Sequence, residues 1–154
     1  MKEVVLRDVT ADDFVIFYNH QREPDAVQMA AFPSREWEAF LAHWAKVQAN
    51  EAVTKQTILY DGQVAGHIVS FEHEGQREIG YWIGKEFWGL GIATRALEAF
   101  LSAYHTRPLY AHVAKHNIGS RRVLEKCGFE RCGEDCWTPV PGGDPVEEYI
   151  FILR

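Results

Sequence analysis

The sequence predicts a mixed α/β (α+β) fold: a mostly antiparallel central sheet of six to seven strands with about four helices. Three observations predict it. Short β-branched and aromatic runs joined by tight-turn residues fill the first half after two helical stretches, as antiparallel hairpins require. From residue 84 onward helical and strand periodicities alternate, which marks a βαβ unit. The chain's 154 residues, 47% hydrophobic and 25% charged, suit one soluble domain over 1–154, with no repeat or Pro/Gly linker to divide it.

In chain order, Val4 to Val9 reads as a first strand. Thr10 with Asp13 three residues on resembles a capping box, opening a helix through Asn19. Pro33-Ser34 starts a second helix, where Trp37, Phe40, Leu41 and Trp44 recur at helical spacing, as core packing demands. Thr57–Tyr60, Asp61-Gly62 and Gln63–Val69 read as a hairpin, because Asp-Gly tolerates the positive φ of a tight turn. A break at Glu74-Gly75 leads into a strand from Glu78 to Ile83. Ala93, Ala96, Leu97, Phe100, Leu101 and Tyr104 form one apolar helical face, and Leu109 to Val113 follow as a strand. Ser120, Val123, Leu124 and Cys127 share a further helical face ended by Gly128. Phe129–Cys132 and Glu147–Leu153 close the chain as two strands.

Charge and cysteine usage exclude several classes. At a net charge of −6 and a pI near 5.6, a grip on nucleic-acid phosphates is not expected, since counterion release needs a basic face. No run approaches the roughly 18 apolar residues of a membrane span, and the charged N-terminal stretch is no signal peptide. Cys127, Cys132 and Cys136, odd in number, point to a reducing cytoplasm rather than a disulfide framework. Cys132 and Cys136 have no neighbouring histidine in sequence, so no metal site is expected there.

The segment Tyr81-Trp82-Ile83-Gly84-Lys85-Glu86-Phe87-Trp88-Gly89-Leu90-Gly91-Ile92-Ala93-Thr94 runs from strand through a glycine loop into a helix. Glycines let backbone N–H groups approach an anion, and a helix start adds unpaired donors and a positive dipole end. That combination holds a phosphate or pyrophosphate; two glycines before a helix also make a plain tight turn. No Gly-Lys-Ser/Thr follows, so this is not a P-loop. The third glycine of a dinucleotide fingerprint is missing too.

Asn117 lies 26 residues after Gly91 and leads the run Asn117…Ser120…Glu125-Lys126-Cys127-Gly128-Phe129. With this second element the chain resembles the GNAT superfamily of acetyl-CoA-dependent N-acetyltransferases. The family pattern is Gln/Arg-x-x-Gly-x-Gly/Ala followed by an Asn-led helix ending in Gly-Phe. Gly91 and Ala93 match it, while Trp88 stands where Gln or Arg is usual. That Trp, with Glu78-Ile79-Gly80-Tyr81-Trp82 upstream, is most similar to the ribosomal-protein N-terminal (RimJ/RimL-like) branch. The match is specific over about residues 76–133.

The resemblance implies two central parallel strands that splay apart to admit the pantetheine arm of CoA. It implies that amides from Trp88, Gly89, Leu90, Gly91, Ile92, Ala93 and Thr94 cradle the pyrophosphate. A backbone N–H near Trp82 or Ile83 would polarise the thioester carbonyl. Asn117 would hydrogen-bond pantetheine; as an Asn before a helix it is equally an N-cap. The co-substrate is acetyl-CoA, without a metal. The acceptor would be an amine, either a peptide or protein N-terminus or a small polyamine, amino sugar or amino acid. The chain would act as a monomer or homodimer, apart from nucleic acid and membrane. A non-catalytic CoA-binding module is the alternative.

An ammonium acceptor must lose a proton before it attacks. Glu78 is one candidate base, at a position where several GNAT enzymes carry a catalytic Glu; a solvated strand-end carboxylate is its plain reading. His112 is the rival, because an imidazole titrates near neutrality and Tyr110, His112 and Ala114 share a strand face. For the acid, many relatives place Tyr seven residues after the Asn, where this chain has Leu124. Ser120, a serine also found in the ribosomal-protein branch, is the candidate to protonate the sulfur, or to cap the helix or contact CoA. Asp12, Asp13, Glu23 and Asp25 lie where the family's acceptor site begins and would draw a cation, unless they are a solvated face.

Overall fold

Seven strands pair in the order β1-β2-β3-β4-β5-β7-β6, seen in a computed structural model that describes residues 2–154. The strands are β1 (Val4–Asp8), β2 (Thr54–Tyr60), β3 (Gln63–His73), β4 (Gln76–Ile83), β5 (Leu109–Ala114), β6 (Glu130–Trp137) and β7 (Val146–Leu153). Five α-helices accompany them: α1 (Phe14–Arg22), α2 (Pro24–Ala30), α3 (Trp37–Ala49), α4 (Ile92–Ala103) and α5 (Ile118–Lys126). The helix beyond the expected four is α2. Pro24 supplies the φ of a first helical turn, and the Glu23 carboxylate accepts from the Ala26 N–H at 2.9 Å. The Asp61-Gly62 turn takes positive φ at both residues, 51° and 78°, as the hairpin requires.

Each helix buries the face its spacing marks. Ile92, Ala96, Leu97 and Phe100 of α4, with Leu124 of α5, pack on one side of the sheet against Ile58, Ile68, Ile79, Leu109 and Phe151. Each large apolar side chain buried this way contributes about 1.5–3 kcal/mol. On the other side Phe17 of α1 and Phe40 and Trp44 of α3 form a smaller core with Val9. Trp37 departs from the expected stripe: it stays 37% exposed and sets its ring edge-on to Tyr18.

Every neighbouring strand pair is antiparallel except β4 and β5. Their parallel ladder is confined to one register step, Glu78 opposite Tyr110. Backbone groups of β4 beyond Glu78 that face β5 therefore have no ladder partner there. Strand backbone without a ladder partner must find another one, and the splay leaves room for it.

Candidate active site

A cleft of about 480 Å³ opens at the splay. Trp82 and Ile83 of β4, Trp88 to Thr94 except Leu90, and Asn117, Ser120, Arg122 and Lys126 line it, and α2 covers it with Ala26, Met29 and Ala30. Leu90 stands outside this wall and is 49% exposed. Gly89 and Gly91 both hold left-handed φ, 77° and 74°, and an added Cβ would meet nothing within 4 Å at either. Backbone conformation, rather than crowding, demands glycine. Gly91 is the N-cap of α4, and the first helical bond runs from the Arg95 N–H to the Gly91 carbonyl at 3.2 Å. The N–H groups of Ile92, Ala93 and Thr94 thus remain unspent at the positive end of the helix dipole. Trp88 uses its indole N–H to hold the Ile83 carbonyl at 2.9 Å, which pins the loop to the end of β4.

Arg122 and Lys126, one turn apart on α5, add positive charge to a chain that is acidic overall. Sequence reading missed them; the i, i+4 spacing on the Asn-led helix was the available signal. Asn117 caps α5, with its Oδ1 accepting from the Ser120 N–H at 3.2 Å. Its side chain thereby takes the capping role, on the wall of the cleft. The Tyr81 hydroxyl lies 2.7 Å from Ser120 Oγ. Burial, the largest influence, holds that phenol up at about 12.

Glu78 and His112, proposed as rivals, are neighbours. Glu78 is 8% exposed, and its Oε2 stands 3.8 Å from His112 Nε2. On the other side of the ring, His112 Nδ1 is 3.5 Å from Glu148 Oε1 of β7. Contact with Glu148 is the largest influence raising the His112 pKa; burial opposes it, and the charge of Glu78 adds to it. Burial raises the Glu78 pKa, against the pull of His112. Asp135 of β6 lies directly opposite Glu148, an unfavourable pairing of like charges unless a cation sits beside them. His112, Asp135 and Glu148 each turn a donor atom to within 4.8 Å of the others, a set suited to a cationic amine or a metal ion. Neither Glu78 nor His112 is on the wall of that cleft.

The acidic patch read in the first helices is largely spent on structure. Asp13 is buried, with its carboxylate bonded by both Arg7 nitrogens at 2.8 Å, by Thr57 at 2.6 Å and by the Thr10 N–H at 3.0 Å. Glu23 caps α2, and Asp25 pairs with Lys85. The carboxylates that gather near the splay are instead Asp135 and Glu148, beside His112. They escaped sequence reading because only the pairing of β5, β7 and β6 brings them to His112.

Leu124 is fully buried in the core, so no hydroxyl enters the cleft from that position. All three cysteines are unpaired. Among the described residues, no helix is long and apolar enough to cross a membrane.

The splayed parallel pair, the glycine-bounded start of α4 and the cleft between them are the arrangement expected of an acetyltransferase. Residues 3–130 match the acetyltransferase (GNAT) domain model, and the chain belongs to that family. It is 32% identical over 127 residues to the Bacillus subtilis protein "Putative ribosomal N-acetyltransferase YdaF", covering 75% of this chain and 68% of that one. In fold it is similar to spermidine N-acetyltransferase from Vibrio cholerae in complex with CoA and spermine. There the TM-score is 0.82 at 18% identity, over 97% of this chain and 94% of that one. Mycobacterium smegmatis RimJ in complex with CoA-disulfide matches at TM-score 0.77 and 22% identity, over 97% and 81% of the two chains.

Proposed function

We propose that the protein transfers the acetyl group of acetyl-CoA to a primary amine by direct attack in a ternary complex. Its preferred acceptor in this reading is the N-terminal amine of a protein or peptide. The observation that carries the proposal is the cleft at the β4–β5 splay, which joins unpaired strand backbone to the glycine-bounded start of α4. The amides of Trp88 to Thr94 hold the pyrophosphate, with Arg122 and Lys126 at the same wall. A backbone N–H at Trp82 or Ile83 faces the developing oxyanion. Asn117 holds pantetheine, and Ser120 serves the sulfur. Glu78 and His112 act as one proton-accepting pair, whose titration belongs to both. Residues 1–154 act as one GNAT N-acetyltransferase domain, which the single continuous sheet supports. The unpaired thiols support a cytoplasmic setting.

Kinship with YdaF favours a peptide acceptor. One observation favours a second reading. The carboxylates of Glu78, Asp135 and Glu148 around His112 would draw a small amine with further positive charge, such as a polyamine. Thiol release from acetyl-CoA, measured across peptides with free Ala or Ser N-termini, polyamines, amino sugars and amino acids, separates the readings. Turnover of the peptides supports the first. Rapid turnover of a polyamine with none for peptides selects the second, and the absence of thiol release with every amine leaves only a CoA-binding module.

A further inference from the structure

We propose that Tyr81 is a positioning residue for the leaving group, its phenol donating to Ser120 Oγ so that the serine's own hydrogen points at the thioester sulfur. The inference rests on the reading that Ser120 serves that sulfur. Tyr81 sits on β4 and Ser120 in the first turn of α5, on opposite arms of the splay, and both line the cleft. Their hydroxyl oxygens are 2.7 Å apart, and the Ser120 carbonyl is a poorer partner at 3.4 Å. The Tyr81 ring packs against the buried core, which fixes where its hydroxyl falls. The Asn117 cap fixes the Ser120 backbone in the same way. A serine hydroxyl has one hydrogen. When Tyr81 donates to its oxygen, that hydrogen is free for a second acceptor, and no other protein group among the described residues bonds Ser120 Oγ.

The chemistry defines what the pair can do. Attack forms the C–N bond; collapse breaks the C–S bond and leaves its electron pair on sulfur as a thiolate. A thiol titrates at about 8.5, well below the Tyr81 phenol at about 12. A serine hydroxyl is weaker still as an acid. Neither hydroxyl surrenders its proton to sulfur. Ser120, backed by Tyr81, stabilises the forming thiolate by hydrogen bonding; the proton shed by the attacking nitrogen passes to the Glu78–His112 pair and on to solvent, and water protonates the thiolate after release. Leu124, buried in the core, supplies no alternative donor.

The test is Tyr81→Phe, which keeps the ring and its packing, alongside Ser120→Ala and the double variant, each checked for folding by melting. Two quantities are read: kcat against KM for acetyl-CoA, and the titration of the thiol of bound CoA by ultraviolet absorbance. Tyr81→Phe is expected to lower kcat about tenfold, less than the loss of a direct donor to a developing charge. KM for acetyl-CoA stays within about twofold, and the bound thiol titrates at higher pH. In the Ser120→Ala background Tyr81→Phe has no further effect on either quantity. A folded Tyr81→Phe with unchanged kcat and thiol titration overturns the proposal, as does an undiminished effect in the Ser120→Ala background. If Ser120→Ala itself changes neither quantity, the reading of Ser120 falls. If Ser120→Ala changes both and Tyr81→Phe neither, only the role of Tyr81 falls.

Discussion

Glu78 and His112 face each other beside the single step that joins β4 to β5, Oε2 to Nε2 at 3.8 Å. The sheet's only parallel contact thus brings together two groups that each offer to take a proton from an amine. Glu148 stands on the far side of the imidazole and holds it toward its charged form.

That arrangement fixes the pH dependence. Because the His112 pKa is raised, the neutral imidazole prevails only at higher pH than in an ordinary histidine, and kcat/KM should climb with pH through that raised value. Glu148→Gln removes the largest raising influence, so the rising limb should move to lower pH. His112→Asn or Glu78→Gln should cost about 10²–10⁴-fold at neutral pH, with acetyl-CoA affinity unchanged. Higher pH should partly rescue the variant that lacks the base. Near-normal rates in both at pH 7 would leave proton removal to water.

Asp13 makes a separate prediction about stability. Burial pushes its carboxyl up, but Arg7, the Thr10 N–H and Thr57 together bring it down from 3.8 to about 2. A depressed carboxylate stabilises the fold above its unfolded pKa and loses that contribution as pH falls toward the folded value. The shift is worth about 2 kcal/mol at pH 7. Asp13→Asn should lower stability in urea by about that much, and the deficit should close between about pH 4 and pH 2. A variant as stable as the parent at neutral pH would contradict this.

His67 acts in a different window. Packed between Phe17 and Trp44 with its Nδ1 buried and without a partner, it is largely shielded from water, and burial brings its pKa down to about 3. The folded chain keeps it neutral while the unfolded chain protonates it below about 6.5, so stability drains as pH falls from there. His67→Phe should flatten the dependence of the urea midpoint between about pH 6.5 and 4, with His20 and His43, both lowered by burial, leaving a residual slope. An unchanged slope would assign the acid sensitivity elsewhere.

What the sequence disclosed follows physical locality. The Asp61-Gly62 hairpin, the βαβ alternation and the loop at Gly89 and Gly91 depend on neighbours within a few residues, and the structure has all three. The short helix α2 was overlooked although Pro24 and the Glu23 cap are written in the chain; seven residues show too little periodicity to register. The capping box of Thr10 and Asp13 was legible and the structure has it, but the burial of Asp13 was not, because Arg7 and Thr57 reach it from β1 and β2. Glu148, Asp135 and the Tyr81–Ser120 contact arise only when strands and helices pair across long separations. Spacing within any one segment cannot disclose them.

In the proposed function the loop at Gly89–Gly91 and the start of α4 hold the pyrophosphate of acetyl-CoA. Gly91→Glu tests it most directly, since a side chain there meets a left-handed φ of 74° and brings negative charge to the helix N-terminus. Calorimetric titration of acetyl-CoA into the folded variant should show affinity at least about tenfold weaker than the parent's, about 1.4 kcal/mol. Unchanged affinity in a folded Gly91→Glu would contradict the assignment of the loop, and with it the reading of the cleft.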